Sequence, residues 1–412
     1  MNKTKIAFLI HSLEGGGVER NIINLNYYLQ KTDIQGDIFV FNNINDYKKE
    51  YSDLIEKINI IRIDYRGSLL TNVFFLKKLS LFLAVFKKIH NKNYNIIVGC
   101  LPYSTYYYAT ILAIFFKIKS VVIVSNNLTE KLKNTFILKK LSSYILLKLS
   151  FLLCNKIICS SFGLAYQLEN NFGIKKEKIE VIYQSINLER IKEKKKGKLP
   201  QEYRYLFKKK PVIISCGRLV EQKNFTFLIK AFKEIKEVVS NAKLLILGKG
   251  PLKSKLQQLI NELNLKDDVV LLGFQSNPYV FMRRADLFVL PSLYEGFANV
   301  IIEALACNVP IVSTDCNYGP REILLHKGTP TVSTRKIIYG TYGILTPITK
   351  PSHFGTKPSK VDTPFIKAIL KLLIDNNFYK KYKMASLIRS KDFSLQKFGR
   401  KFLSVINSLI CK

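Results

Sequence analysis

Acidic residues are scarce in this chain. Its 412 residues hold 30 Asp plus Glu against 65 Lys plus Arg, a formal net charge of +35. That imbalance calls for an anionic partner: nucleic acid, lipid headgroups or a phosphorylated substrate. Residues 1–190 hold 26 basic and 14 acidic side chains, and residues 191–412 hold 39 and 16. Both halves are basic, which argues against a nucleic-acid arm fused to a neutral enzyme. C-x-x-C pairs are absent. The seven cysteines (Cys100, Cys154, Cys159, Cys216, Cys307, Cys316 and Cys411) are odd in number and widely spaced. Zinc and disulfide frameworks are therefore not expected, and buried free thiols are. An unbroken apolar run is also missing: the uncharged stretch 96–116 is interrupted by Gly99, Pro102 and Ser104-Thr105. That pattern reads as strand, loop and helix rather than a membrane span. The apolar stretch Ile6 to Ile10 is too short for a secretory h-region, so export is not expected.

What is present is apolar alternation. With 48% hydrophobic and 12% aromatic residues the chain can build sizeable cores, and its length predicts two or three domains. Short Ile-, Val- and Phe-rich runs alternate with segments of helical period, the pattern of parallel sheets covered on both faces. A first domain is expected over 1–188 and a basic linker over 189–210, where Lys192-Glu193-Lys194-Lys195-Lys196 lies. A second domain is expected over 211–392, followed by a terminal helix, 393–412, that could cross back to the first. The region Lys327 to Lys360 reads as irregular. Doubly wound sheets bind ligands at the carboxyl ends of their strands.

Three clusters stand at such ends. Gly15-Gly16-Gly17-Val18-Glu19-Arg20 opens the first helix and reads either as an anion site at a helix N-terminus or as a tight turn. Gly217-Arg218 with Lys223 reads either as a clamp for a diphosphate or as a solvated loop. Pro291-Ser292-Leu293-Tyr294-Glu295-Gly296-Phe297-Ala298-Asn299 leads into a helix that carries Glu303 among Val300, Ile301, Ile302, Ala304 and Leu305. A carboxylate on so apolar a helix needs a partner, and carboxylates can accept from adjacent sugar hydroxyls.

With these motifs, Leu247-Gly248-Lys249-Gly250-Pro251, Leu272-Gly273-Phe274 and Asn317-Tyr318-Gly319-Pro320-Arg321-Glu322, the chain resembles glycosyltransferase family 4. The resemblance covers nearly the whole chain and is strongest from Pro211 to Leu324. It implies an α/β GT-B fold, two Rossmann-like doubly wound domains facing across a cleft. It also implies retaining transfer of a sugar from a nucleotide-sugar donor, UDP-linked, to a lipid-linked or polyprenyl-diphosphate-linked glycan in O-antigen, capsule or related surface polysaccharide assembly. In that family Arg218 and Lys223 would hold the donor diphosphate. Glu303 would bind the ribose, Glu295 with the amides of Gly296, Phe297, Ala298 and Asn299 would meet the sugar and a phosphate, and Gly273-Phe274 would border the base. Gly217 and Gly248 would complete the donor loops. Gly16 and Gly17 would line the acceptor side.

Two departures concern the acceptor side. The family's first-domain histidine is replaced by Ser125-Asn126-Asn127, which leaves His11 and Asn126 as candidates, and Tyr183-Gln184-Ser185-Ile186-Asn187 stands where an Asn-Pro or Asn-Gly turn is usual. No Asp-x-Asp triplet occurs, so no catalytic metal and no cofactor beyond the nucleotide sugar are expected. The expected partners are a nucleotide sugar, a lipid-linked glycan and an anionic membrane surface, with no nucleic acid. The segments Leu69 to His90 and Phe136 to Leu153, rich in Lys and Phe or Leu, suggest a protein in the cytoplasm, peripheral on the inner face of the cell membrane. Two other readings remain open: an epimerase-like enzyme acting on the nucleotide sugar itself, and a non-catalytic polyanion-binding protein.

Overall fold

The computed structural model describes residues 3–13, 16–42, 51–63, 74–90, 92–133, 137–325, 333–349 and 363–410. Gly15, His326, His353 and half of the 327–360 region lie outside them. The chain divides into two compact units, Met1–Ser185 with Leu395–Lys412, and Ile186–Ser394.

The first unit contains strands β1 (Thr4–Ile10), β2 (Ile34–Val40), β3 (Asn59–Arg62), β4 (Ile96–Gly99), β5 (Lys119–Val124), β6 (Lys156–Cys159) and β7 (Ile179–Val181). All pair in parallel, in the order β3-β2-β1-β4-β5-β6-β7. The apolar runs dictate this: Ile6 to Ile10 and Val121 to Val124 are buried along their length, as strands covered on both faces must be. The interrupted stretch 96–116 resolves into β4 and the helix Ser104–Phe115. One side of the sheet carries the helices Phe74–His90 and Ser104–Phe115, whose Val85, Tyr108 and Leu112 pack on Ala7, Leu9 and Ile97. The other side carries Gly17–Leu29 and the C-terminal helix Leu395–Ile410, whose Phe402 stacks on Phe8 with ring centroids 6.0 Å apart. Gly399 permits this close packing, because a Cβ there would lie 2.2 Å from the Tyr28 ring.

The second unit contains β8 (Val212–Cys216), β9 (Lys243–Leu247), β10 (Val269–Gly273), β11 (Leu287–Leu290), β12 (Ile311–Thr314), β13 (Ile338–Tyr339) and β14 (Ile344–Thr346). Their order is β10-β9-β8-β11-β12-β14-β13, parallel except for the β13–β14 pair. The last two strands fall within the segment expected to be irregular. Helix Phe225–Val238 follows its sequence pattern: Phe225, Leu228, Ile229, Phe232 and Ile235 are buried in the core.

The 189–210 segment differs from the expected linker, since it lies inside the second unit. Asn187 accepts a hydrogen bond from Arg190 N and starts the helix Leu188–Lys194, and Ile191, Leu199 and Leu206 are buried. Those three anchors are too far apart to form a visible period, which is why the basic residues between them dominate the sequence. At the other end, Phe393 packs on Phe297 in the second unit, and the terminal helix begins at Leu395.

Candidate functional site

In the second unit, five neighbouring strands bring the sequence motifs to one sheet edge. In order, β10 ends at Gly273-Phe274, β9 at Gly248, β8 at Gly217-Arg218, β11 at the 291–298 loop and β12 at Asp315. The order reverses between β8 and β11, the position where doubly wound sheets open a crevice.

The loops are tied together by backbone bonds and by glycines that admit no side chain. Gly217 N donates to Leu247 O at 2.9 Å, Gly248 N to Gly273 O at 2.8 Å, and Leu219 N to Lys249 O at 3.0 Å. Gly248 has φ +144°, and a Cβ on it would lie 1.8 Å from Gly217 O. Between β8 and β11, Leu293 N donates to Gln222 O at 2.9 Å and Gln222 Nε2 to Tyr294 O at 2.8 Å. Lys223 thereby comes to Glu295: Nζ donates to Oε1 at 2.5 Å, and Ser292 Oγ donates to the same oxygen at 2.7 Å. Glu295 is 7% exposed. Beneath it, burial and then the Glu295 carboxylate hold the Cys316 thiol far above its usual range.

Arg218 is exposed at the same edge, and no partner is recorded for it among the described residues. Helix Asn299–Ala306 starts at Ala298, a non-glycine residue in the left-handed region (φ 70°, ψ 61°) with no side-chain cap. Its first amides are thus left for other acceptors. Glu303, one turn on, is 2% exposed, and Asn299 Oδ1 is buried without a hydrogen-bond partner. The Phe297 ring is buried against Phe393, so the residue presents backbone rather than an aromatic face. Phe274 is half-exposed, with the Lys249 ammonium 5.7 Å from its ring centroid.

Sequence reasoning gave no role to four residues here. Ser292 shares the Glu295 oxygen, Thr314 Oγ1 donates to Ser292 O at 2.6 Å, and Arg321 forms a two-pronged ion pair with Asp315. The Ser-x-x-Glu spacing was a readable signal for the first. The others depend on β11 and β12 being neighbours.

In the first unit, His11 ends β1 and Ser104 opens the helix after β4, its neighbour; His11 Nε2 and Ser104 Oγ lie 3.1 Å apart. Gly16 is the N-cap of the helix Gly17–Leu29 and its Cβ position lies 2.2 Å from Glu19 Oε2, so Glu19's own carboxylate covers that helix start. That geometry weakens the anion-site reading of Gly16 and Gly17. Asn126 is half-buried, while Asn127 caps the next helix and accepts from Gln167 at 2.7 Å. Among the described residues no cluster of His, Cys, Asp and Glu is arranged to hold a metal.

Residues 15–190 match the family model described as "Glycosyltransferase Family 4", and residues 201–336 match "Glycosyl transferases group 1". An uncharacterized glycosyltransferase of Methanocaldococcus jannaschii is 38% identical over 247 residues, 59% of this chain and 61% of that protein. The Campylobacter jejuni N-acetylgalactosamine-N,N'-diacetylbacillosaminyl-diphospho-undecaprenol 4-alpha-N-acetylgalactosaminyltransferase is 36% identical over 219 residues, 52% of this chain and 57% of that protein. The chain thus spans about three fifths of the length of these relatives. The crystal structure of Anabaena HepE in complex with UDP and glucose is similar at a TM-score of 0.76 and 18% identity, covering 98% of this chain and all of that one. Residues 15–190 and 201–336 thus match two glycosyltransferase family models in chain order, on the two-domain α/β fold of the GT-B glycosyltransferases.

Proposed function

We propose that the chain is a retaining glycosyltransferase that moves a sugar from a UDP-linked donor to a lipid-linked or polyprenyl-diphosphate-linked glycan. The reading places it at the inner face of the cell membrane, in surface polysaccharide assembly. The observation that carries it is the junction of the β8 and β11 loops, where Lys223, Ser292 and Glu295 are hydrogen-bonded beside an exposed Arg218 and the uncapped start of the Glu303 helix. Cations and free amides suit a diphosphate, and carboxylates suit sugar hydroxyls. The family matches support the reaction type, and the C. jejuni relative, whose name includes a diphospho-undecaprenol, supports the acceptor class.

In this reading the anomeric carbon–diphosphate bond breaks as the acceptor oxygen bonds to the same face of the sugar. The acceptor hydroxyl proton passes to the leaving diphosphate oxygen. Arg218, Lys223 and the amides from Ala298 to Asn299 stabilise charge that grows on that leaving group. Lys223 gives one of its three donors to Glu295 and keeps two for phosphate oxygens. Glu303 takes the ribose hydroxyls, Glu295 the transferred sugar, and Gly273-Phe274 the base. No residue serves as a covalent nucleophile and no metal is required. The acceptor lies against His11, Gly16, Gly17 and Asn126.

The test is incubation with a panel of nucleotide sugars, with and without a polyprenyl-diphosphate-linked acceptor. UDP release that requires acceptor is the expected result. Conversion of the nucleotide sugar without acceptor would assign an epimerase-like activity instead. Absence of either, with steeply salt-dependent nucleic-acid binding, would point to a polyanion-binding protein.

A further inference from the structure

The exposed apolar side chains of the first unit are concentrated on neighbouring helices. On Ser104–Phe115 they are Ile111, Ile114 and Phe115, and on Ile137–Leu153 they include Leu141, Ile145 and Leu149, each between 46% and 62% exposed. The spacings, i, i+3, i+4 and i, i+4, i+8, make each set one stripe. These helices adjoin, with the rings of Tyr106 and Phe151 6.0 Å apart. Helix Phe74–His90 joins from the other side through Phe86, 4.9 Å from Phe115, and adds the exposed Leu83. Monomeric soluble proteins seldom leave large apolar patches uncovered, and exposed apolar stripes on adjoining helices mark an interaction face.

Charge identifies the occupant. From residue 65 to residue 168 the chain has 14 Lys or Arg and a single acidic residue, Glu130. The scarcity of acid that marks the whole chain is thus most extreme in the segment that contributes these helices. Lys78, Lys87, Lys88, Lys117, Lys139 and Lys140 are exposed on or just beyond them. Apolar stripes bordered by lysines, with carboxylates excluded, match a bilayer surface of anionic headgroups over acyl chains. Among the described residues no helix is long and apolar enough to cross a membrane, so the contact is one of lying on the surface.

We propose that these stripes form a docking face that inserts into an anionic bilayer, with Ile114, Phe115, Ile145 and Leu149 entering the acyl region and the lysines holding headgroups. This deepens the membrane part of the proposed function: the sequence alone pointed to lysine-driven adsorption, and the structure assigns the contact to apolar insertion. The uncharged Ser104–Phe115 helix supplies half of the inserted residues.

The experiment is co-sedimentation of the full chain, without donor or acceptor, with vesicles of phosphatidylglycerol and phosphatidylcholine or of phosphatidylcholine alone, at low and high salt. The expected result is binding to the anionic vesicles that persists in part at high salt. It should fall at least tenfold when Ile114→Ser, Phe115→Ser, Ile145→Ser and Leu149→Ser are combined, while the melting temperature is unchanged. A chain that ignores anionic vesicles, or a quadruple variant that binds as well as the parent, would overturn the proposal. So would a parent dimer that the same substitutions turn into a monomer with vesicle binding absent, which would make a second copy the occupant. Arg218→Ala should bind vesicles like the parent, so loss of transfer with intact docking, or the reverse, separates this proposal from the catalytic one.

Discussion

Arg218 and Lys223 were read from the sequence as a pair, and the structure gives them different settings. Lys223 is largely buried and holds the carboxylate of Glu295, while Arg218 is exposed and no partner is recorded for it among the described residues. Both substitutions to Ala should lower transfer by about 10²–10³-fold, the usual cost of removing one donor that stabilises a developing charge. They should part on stability. Lys223→Ala leaves Glu295 buried with Ser292 alone and should cost about 3–5 kcal/mol, whereas Arg218→Ala should leave the melting temperature in place. Equal melting temperatures for the two variants would contradict the pairing. The thiols offer a second check. Burial pushes Cys307 and Cys154 up to about 12 and holds Cys316 well above its usual range, so at pH 8 they stay protonated and neutral, and alkylation should wait for unfolding. Fast labelling of the native protein at these positions, read by peptide mass, would refute their burial. At this scale the sequence named the charged groups of the β8–β11 edge but not their partners. Ser104 lies 93 positions from His11, and only the adjacency of β1 and β4 brings them together.

At the scale of elements, alternation of apolar runs announced parallel sheets covered on both faces, because a strand buried on both faces leaves an unbroken apolar signature. It failed where anchors are sparse, in the 189–210 segment, and in β13 and β14, which have two and three residues. The glycine motifs were legible as loops, but the constraint on each depends on which strand lies beside it. Gly248→Ala puts a Cβ into the Gly217 carbonyl and should cost at least about 2 kcal/mol, together with donor binding, because the β8 loop would be displaced. An Ala variant with parental stability would mean that the two loops are not in contact. Gly273 makes a useful control. Its φ is also positive, at +69°, but nothing lies within 4 Å of a Cβ there, so Gly273→Ala should cost less.

At the scale of the molecule, the C-terminal helix belongs to the first unit although it follows the second in sequence. It buries Leu395, Phe398, Phe402 and Ile406. Four such side chains at about 1.5–3 kcal/mol each amount to about 6–12 kcal/mol, comparable with the whole stability of a domain. A chain ending at Ser394 should therefore lose the cooperative melting of its first unit in calorimetry, and an unchanged melting profile would contradict that packing. A helix over 393–412 was expected from the sequence, but the surface it covers was not visible there. The net charge also divides at this scale: Arg218 and Lys223 serve the proposed donor, and Lys78, Lys87, Lys88, Lys117, Lys139 and Lys140 border the proposed docking face. Those of 189–210 in part hold the second unit together, as when Lys195 Nζ donates to Ala306 O at 2.8 Å.

If the edge formed by β8 and β11 binds a nucleotide sugar, thermal denaturation with UDP and a panel of UDP-sugars will register it. At a ligand concentration 100-fold above Kd the native state gains about 2.7 kcal/mol, enough to raise the melting temperature of a unit of this size by about 5–10 °C. Such a rise is expected with UDP, a larger one with a single UDP-sugar, and loss of both in Glu303→Gln and Arg218→Ala. No shift with any nucleotide, or an equal shift in the parent and both variants, would contradict it.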